Sequence, residues 1–169
     1  MENLFISDAH LGHRNIHLFR PQVTSPEHNT ELIVSAWEKL PNPKRSIIHC
    51  LGDMAFDSEH NKLIQGLPGK KILYIGNHDE EISFAELLET YDELRGIHKW
   101  KKSWLSHAPI HPSELRGSIN IHGHTHSEDK GEGYYNVCVE SLMKKFGTPM
   151  ITLAQLRNWV TNDSRNKLQ

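Results

Sequence analysis

Asn77, His78 and Asp79 stand together directly after the apolar run Ile72–Ile75 and a glycine. An amide oxygen, an imidazole and a carboxylate can each ligate a metal or carry a proton. A buried strand that delivers them at its carboxyl end builds a site, because ligands of α/β sheets sit outside those ends. The chain repeats the device. Asn3–Ser7 runs into Asp8-Ala9-His10, Ser46–Leu51 into Gly52-Asp53, Trp104–Ser106 into His107, and Ser118–His122 into Gly123-His124-Thr125-His126. Asp and His two apart can point at one ion, since alternate residues of an extended chain share a face. Taken singly the motifs have plain alternatives: D-x-H arises by chance, and Gly-Asp is an ordinary turn pair. Taken together, five apolar segments end in metal-ligand residue types.

The elements that must position these residues follow from periodicity. Asn3–Ser7, Ser46–Leu51 and the run from Ile72 read as buried strands separated by helices. Strand, helix, strand implies parallel pairing with right-handed crossovers, which brings the ends of the three strands to one rim. The first helix spans Thr24–Leu40, capped by Ser25, with Pro26 in its first turn and Leu32, Ile33, Ala36, Trp37 and Leu40 as its apolar stripe. A short helix covers Glu59–Leu67 and closes at Pro68-Gly69, and another covers Phe84–Thr90 behind a Ser83/Glu86 capping box. From Leu94 the pattern changes to short alternating strands, Leu94–Trp100, Ser103–Ser106, Ser118–His122 and Tyr134–Glu140, the first two paired antiparallel across a short turn. Pro109 and Pro112 mark a loop. A last helix, Leu153–Val160, starts at a Thr152/Gln155 capping box, and the polar tail from Thr161 frays.

With 169 residues the chain suits one domain, 1–169, able to bury a sizeable core. A net charge of −2 gives no global sign of nucleic-acid or membrane binding. The local exception is Lys99–Lys102 with Trp100 and Trp104, for which a solvated hairpin with inward tryptophans is the plainer reading. No apolar run approaches the ~18 residues of a membrane span, and Met1 leads straight into a strand without a signal peptide, so a cytoplasmic protein is expected. Cys50 and Cys138 lie inside apolar runs and are expected as reduced core residues. Histidine is over-represented, with 13 copies, most of them in or beside the strand ends.

In their order along the chain, Asp8-x-His10, Gly52-Asp53, Gly76-Asn77-His78-Asp79, His107 and Gly123-His124-x-His126 resemble the motifs of the calcineurin-like metallophosphoesterases. The resemblance spans residues 8 to 126 and is nearest to the small, cap-less bacterial and phage phosphoesterases; Tyr134–Glu140 is similar to the family's closing strand. It implies an α/β fold in which two mixed sheets pack as a sandwich flanked by helices. It also implies two adjacent divalent ions, Mn²⁺ first and Fe, Zn²⁺ or Ni²⁺ as alternatives. One ion would be held by Asp8, His10, Asp53 and His126 and the other by Asp53, Asn77, His107 and His124, with Asp53 bridging. His78 would protonate the leaving oxygen or bind the phosphate, and Asp79 would orient it. The implied reaction is phosphoester hydrolysis by a hydroxide bridging the ions.

The chemistry of the donors agrees with that set. Oxygen and imidazole ligands without thiolate suit first-row ions. Two dications ~3.5–4 Å apart acidify a bound water and stabilise both the attacking and the leaving oxygen. A shared carboxylate offsets their mutual repulsion, and an Asn ligand adds oxygen without charge. His13, three residues after His10, faces either substrate or solvent. His122 is expected to face the sheet or a ligand. His111 and Arg116 flank the last site strand, as phosphate contacts or as loop surface.

Departures from subfamily patterns narrow the substrate. Gly52-Asp53 continues as Met54-Ala55-Phe56, and Asp79 follows His78, unlike the Asp-Arg-Gly and Asn-His-Glu of protein Ser/Thr phosphatases. Short rim loops, Leu11–Asn15, Ala108–Leu115 and Ser127–Gly133, and the lack of an inserted cap favour a phosphodiester over a monoester. The expected partner is therefore a phosphoester, a small molecule or a nucleic-acid end. A nuclease or RNA-end phosphoesterase is the alternative enzyme, and a catalytically silent binding module the alternative class.

Overall fold

The strands that carry the motifs form where apolar and β-branched residues alternate. The computed structural model describes residues 1–166. In chain order they form β1 (Glu2–Ile6), α1 (Ile16–Phe19), α2 (Pro26–Glu38), β2 (Ser46–Cys50), α3 (Ser58–Gly66), β3 (Lys70–Tyr74), α4 (Phe84–Thr90) and β4 (Glu93–Arg95). There follow β5 (His98–Trp100), β6 (Ser103–Ser106), α5 (Pro112–Leu115), β7 (Ile119–His122), β8 (Tyr134–Asn136), α6 (Val139–Phe146), β9 (Ile151–Thr152) and α7 (Leu153–Asn166). One sheet has the order β4-β3-β2-β1-β9 and the other β5-β6-β7-β8. Both are mixed: β1 to β4 run parallel with β9 antiparallel, and β6 to β8 run parallel with β5 antiparallel.

Side-chain alternation places the core on both faces of the first sheet. Leu4 and Ile6 of β1, Ile48 and Cys50 of β2 and Leu73 of β3 face the helices, where they meet Ile33 and Trp37 of α2, Ile64 of α3 and Leu87 of α4. Phe5, Ile72 and Tyr74 point the other way and pack against Leu105, Ile121 and Tyr135 of the second sheet, closing the sandwich. At the carboxyl ends the sheets are tied together: Ser7 N–H donates to Val137 O at 3.0 Å and Val139 N–H to Ser7 O at 3.1 Å. Helix starts follow their caps. Ser25, Ser83 and Thr152 each accept a backbone N–H three residues on, and the boxes with Glu86 and Gln155 are reciprocal.

Three sequence expectations are corrected. Leu94–Trp100 is two strands, β4 in the first sheet and β5 in the second, with the crossing at Gly96-Ile97. One half pairs in parallel with β3 and the other antiparallel with β6. Tyr134–Glu140 is a strand only to Asn136, because Cys138 ends it and α6 begins. Val139, Leu142, Met143 and Phe146 form a helical stripe that the β-favouring run before them hides, and Gly147, at φ 68°, closes the helix. The tail is helical to Asn166 rather than frayed from Thr161, and 167–169 lie outside the described residues. The Pro109–Pro112 loop also holds the single turn α5. Cys50 and Cys138 are buried and free. No helix among the described residues is long and apolar enough to cross a membrane.

Candidate metal centre

The loops after β1, β2, β3, β6 and β7 meet at the joined end of the two sheets. They gather two clusters, Asp8/His10/His126 and Asp53/His107/His124, whose ligand-type atoms lie within 4.8 Å of one another in each. Asp53 Oδ2 stands between them, 3.8 Å from His10 Nε2 and 3.3 Å from His107 Nε2. His107 Nε2 is also 3.0 Å from Asn77 Oδ1 and 3.2 Å from His124 Nδ1, and His10 Nε2 is 3.6 Å from Asp8 Oδ1. Two ligands each about 2.1 Å from one ion, at octahedral or tetrahedral angles, are about 3.0–3.4 Å apart. The separations around His107 fall in that range, and those around His10 are slightly wider.

At Asp8, Asp53, His107 and His126 the atoms turned away from the clusters have partners. Asp8 Oδ2 accepts from Ser7 Oγ–H (2.6 Å), His124 N–H (2.9 Å) and the Cys138 thiol (3.0 Å), while Oδ1 has no hydrogen-bond partner among the described residues. Asp53 Oδ1 accepts His78 N–H (2.8 Å), which leaves Oδ2 for the space between the clusters. The Leu51 carbonyl can only accept, so His107 presents Nδ1–H to it at 2.8 Å and keeps a lone pair on Nε2. His126 Nδ1 faces Glu140 Oε1 at 3.4 Å, with the same effect on its Nε2. His10 Nε2 is buried and unpartnered among the described residues. A buried carboxylate oxygen and a buried imidazole nitrogen left without partners are each costly, and one cation between them satisfies both. The donor set therefore fits a divalent ion. The Cys138 thiol donates to Asp8 Oδ2, and burial, with the Asp8 charge, holds it well above its usual range.

The backbone adds a second mark. Seven non-glycine residues have positive φ among those described, and five of them are Asp8 (55°), His10 (50°), Asp53 (54°), His124 (68°) and His126 (50°). Each such residue costs about 1 kcal/mol or more relative to ordinary backbone, a strain that persists only where the surroundings impose it. Here they do: Asp8 N–H bonds to Gly52 O at 3.0 Å and His10 N–H to Asp53 O at 3.1 Å. Two motif glycines leave room for ligands. A Cβ on Gly76 would sit 2.2 Å from Asp53 Oδ1, and one on Gly123 would sit 2.5 Å from Asp8 Oδ2.

Electrostatics show how strongly the site attracts positive charge. Burial alone would raise the Asp8 carboxyl, but the His10 contact and the His107 charge bring it down to about 2. Burial likewise opposes Asp53, and the nearby His10 and His107 imidazoles pull it below the usual carboxylate range. The partners respond in the opposite sense. Burial disfavours charged His10, yet Asp53 and Asp8 raise it to about 9, and burial of His107 is outweighed by Asp53.

The remaining candidates divide. His78 is half-buried, its ring 4.7 Å from Phe56 and 5.8 Å from His10 between centroids. Asp79 does not turn to that ring. Its carboxylate accepts N–H from Asp53 (3.0 Å), Met54 (3.3 Å) and Gly76 (2.7 Å), so it braces the loop carrying Asp53. His13 lies beside the first cluster, 6.0 Å from His10 between rings. Arg116 is not brought to the site: its side chain is 75% exposed and pairs with Glu114 at 3.3 Å. His111 lines an apolar cleft of about 660 Å³, with Ile97, Trp104 and Pro109, that opens beside Asn77, His107 and His124. His122 is buried and donates Nδ1–H to Gly123 O at 2.8 Å, facing the sheet.

The sequence did not point to Arg20 and Glu140. Arg20, fully buried, donates to Glu140 Oε1 at 2.9 and 2.8 Å, to Asp8 O at 2.6 Å and to Ala9 O at 3.2 Å. The pair thus holds the loop of Asp8 and the ring of His126 from behind.

No protein-family model matches the chain. The Gene 66 protein of Mycobacterium phage L5 is 27% identical to it, over 73% of this chain and 76% of the phage protein. The crystal structure of AQ665, a protein of unknown function from Aquifex aeolicus, superposes with a TM-score of 0.69 at 25% identity, covering 94% of this chain and 98% of that one. The nuclease MPE of Pseudomonas putida superposes with a TM-score of 0.50 at 18% identity, over 73% of this chain and 61% of the nuclease. At that identity the likeness concerns the fold.

Proposed function

We propose that residues 1–169 form one catalytic domain of the calcineurin-like metallophosphoesterase type, which hydrolyses a phosphodiester with two divalent ions, Mn²⁺ foremost. The observation that carries this reading is Asp53 Oδ2, which belongs to the second three-residue cluster, 3.3 Å from His107 Nε2, and also lies 3.8 Å from His10 Nε2 of the first. Asp8, His10 and His126 would hold one ion, Asn77, His107 and His124 the other, and Asp53 both. Bound ions supply Lewis acidity toward a phosphoryl oxygen and lower the pKa of water.

The chain's own groups do the rest. His78 is held by its backbone N–H on Asp53 Oδ1 and stands beside the first cluster, in place to give a ring proton to the departing ester oxygen. Asp79 fixes the loop of Asp53 through three backbone N–H groups. Glu140 keeps the His126 ring turned so that Nε2 faces inward. A silent binding module would have no use for a full ligand set with five members in strained backbone.

A nuclease or RNA-end phosphoesterase is the second reading. It is the same chemistry on a nucleic-acid strand, and the fold likeness to a nuclease favours it. The test is hydrolysis of bis-p-nitrophenyl phosphate and p-nitrophenyl phosphate before chelation, after it, and after readdition of Mn²⁺. Metal-dependent turnover with the higher kcat/KM on the diester is expected. Undiminished activity in a verified metal-free preparation defeats the metal mechanism, and a clear monoester preference defeats the diester assignment.

A further inference from the structure

The rim on the His10 side is built of rings. Phe56 stands 5.0 Å from His10, 5.0 Å from His13 and 4.7 Å from His78 between centroids, and Phe19 stands 6.0 Å from His13. The row therefore runs outward from the first cluster to Phe19, which is 68% exposed. Core packing does not account for Phe19, because Ile16 is the buried residue of its four-residue helix. Phe19 thus leaves an apolar ring open to solvent at the end of a row that starts at the first cluster. Neighbouring rings meet at interplanar angles from 31° to 86°, so the row presents edges and faces rather than one closed stack. Proteins that hold single-stranded nucleic acids pair charge for the phosphate with aromatic faces for the base. An alkyl arm would use only apolar surface, whereas His13 and His78 add ring nitrogens that can bond to a heterocycle.

Resting on the phosphodiesterase reading above, we propose that the row Phe19–His13–Phe56–His78 is a stacking wall, and that one arm of the substrate ester carries a nucleobase. The phosphate lies at the two clusters and the base against the wall, with Phe56 as the inner contact and Phe19 as the outer.

The experiment compares two p-nitrophenyl phosphodiesters with the same leaving group, one retaining a methyl arm and the other a thymidine 5′ arm. Wild type is expected to favour the thymidine ester about tenfold in kcat/KM, within the range known for single base-stacking contacts. Phe19→Ala and Phe56→Leu should bring the ratio to within about twofold. Phe84→Ala, which removes a ring 66% exposed on α4, should keep it. Calorimetric binding of a thymidine phosphonate against methylphosphonate to the metal-loaded protein should give the same ratios without turnover. Equal treatment of the two arms by wild type, or a preference that both wall variants keep, overturns the proposal. If the loaded protein hydrolyses neither ester, the phosphodiesterase reading falls instead and binding alone decides the wall. In that case equal or absent binding of the two phosphonates overturns it.

Discussion

Replacing Arg20 with Met should destabilise the protein and weaken the ion at Asp8 in one step. The guanidinium is fully buried and donates to Glu140 twice, to Asn29 Oδ1 and to the carbonyls of Asp8 and Ala9. Met keeps much of the volume and none of the bonds, so the Glu140 charge stays buried at 6% exposure without its main partner. Breaking a buried pair from one side costs about 3–5 kcal/mol. For a chain of this size each kcal/mol is about 2–4 °C, so the melting temperature should fall by roughly 6–20 °C. Freeing the Asp8 and Ala9 carbonyls also loosens a strained ligand loop, and losing an outer contact typically reduces metal affinity about 10–100-fold. Thermal unfolding and metal titration read the two effects separately. The double variant Arg20→Met/Glu140→Leu should recover part of the stability, because no unpaired charge then remains. A loss below about 1 kcal/mol in the single variant, or a double variant worse than the sum of the singles, would refute the argument.

Four further outcomes are expected. Asp53→Ala should lower the occupancy of both ions, whereas His78→Ala should keep the metals and reduce kcat by roughly 10²–10⁴; metal analysis showing an empty His78→Ala protein would rule out the acid role. In chelator, His10 at about 9 lies above its unfolded value of about 6.5, so its contribution to stability is present below about pH 6.5 and is lost as pH rises through about 9. The melting temperature of the metal-free protein should therefore fall across that window. Proton release on Mn²⁺ titration should accompany binding, and a flat or rising profile in chelator would contradict the charge assigned to His10.

The gathering of the motif residues was legible because each motif is local: a β-favouring run, a glycine or a tight turn, then a metal-ligand residue type. The parallel order of β1, β2 and β3 followed from the helices between them. What was not legible depends on distant partners. The strand at Leu94 splits because its two halves pair with β3 and β6, and alternation carries no record of which sheet covers it. The Arg20–Glu140 bond closes a separation of 120 residues, with neither residue inside a motif. Asp79 stood beside His78 in sequence, yet its carboxylate turns back to three backbone N–H groups of the Asp53 and Gly76 turns. Arg116 had the charge for a phosphate, but α5 ends by turning it outward to Glu114.

The left-handed backbone at five residues of the two clusters sets the direction in which such a chain can decay. Glycine adopts that conformation freely and asparagine more easily than most residues. Replacing His126 by glycine or asparagine relieves strain at the same moment that it removes a metal-ligand side chain from the first cluster. At exposed His124 and half-buried His126 that relief meets fewer lost bonds, whereas at Asp8 and Asp53 a lost carboxylate also strands the groups that donate to it. Sequence drift toward Gly and Asn at positions 124 and 126, ahead of 8 and 53, would be the trace of a descendant that kept the scaffold and gave up the two clusters.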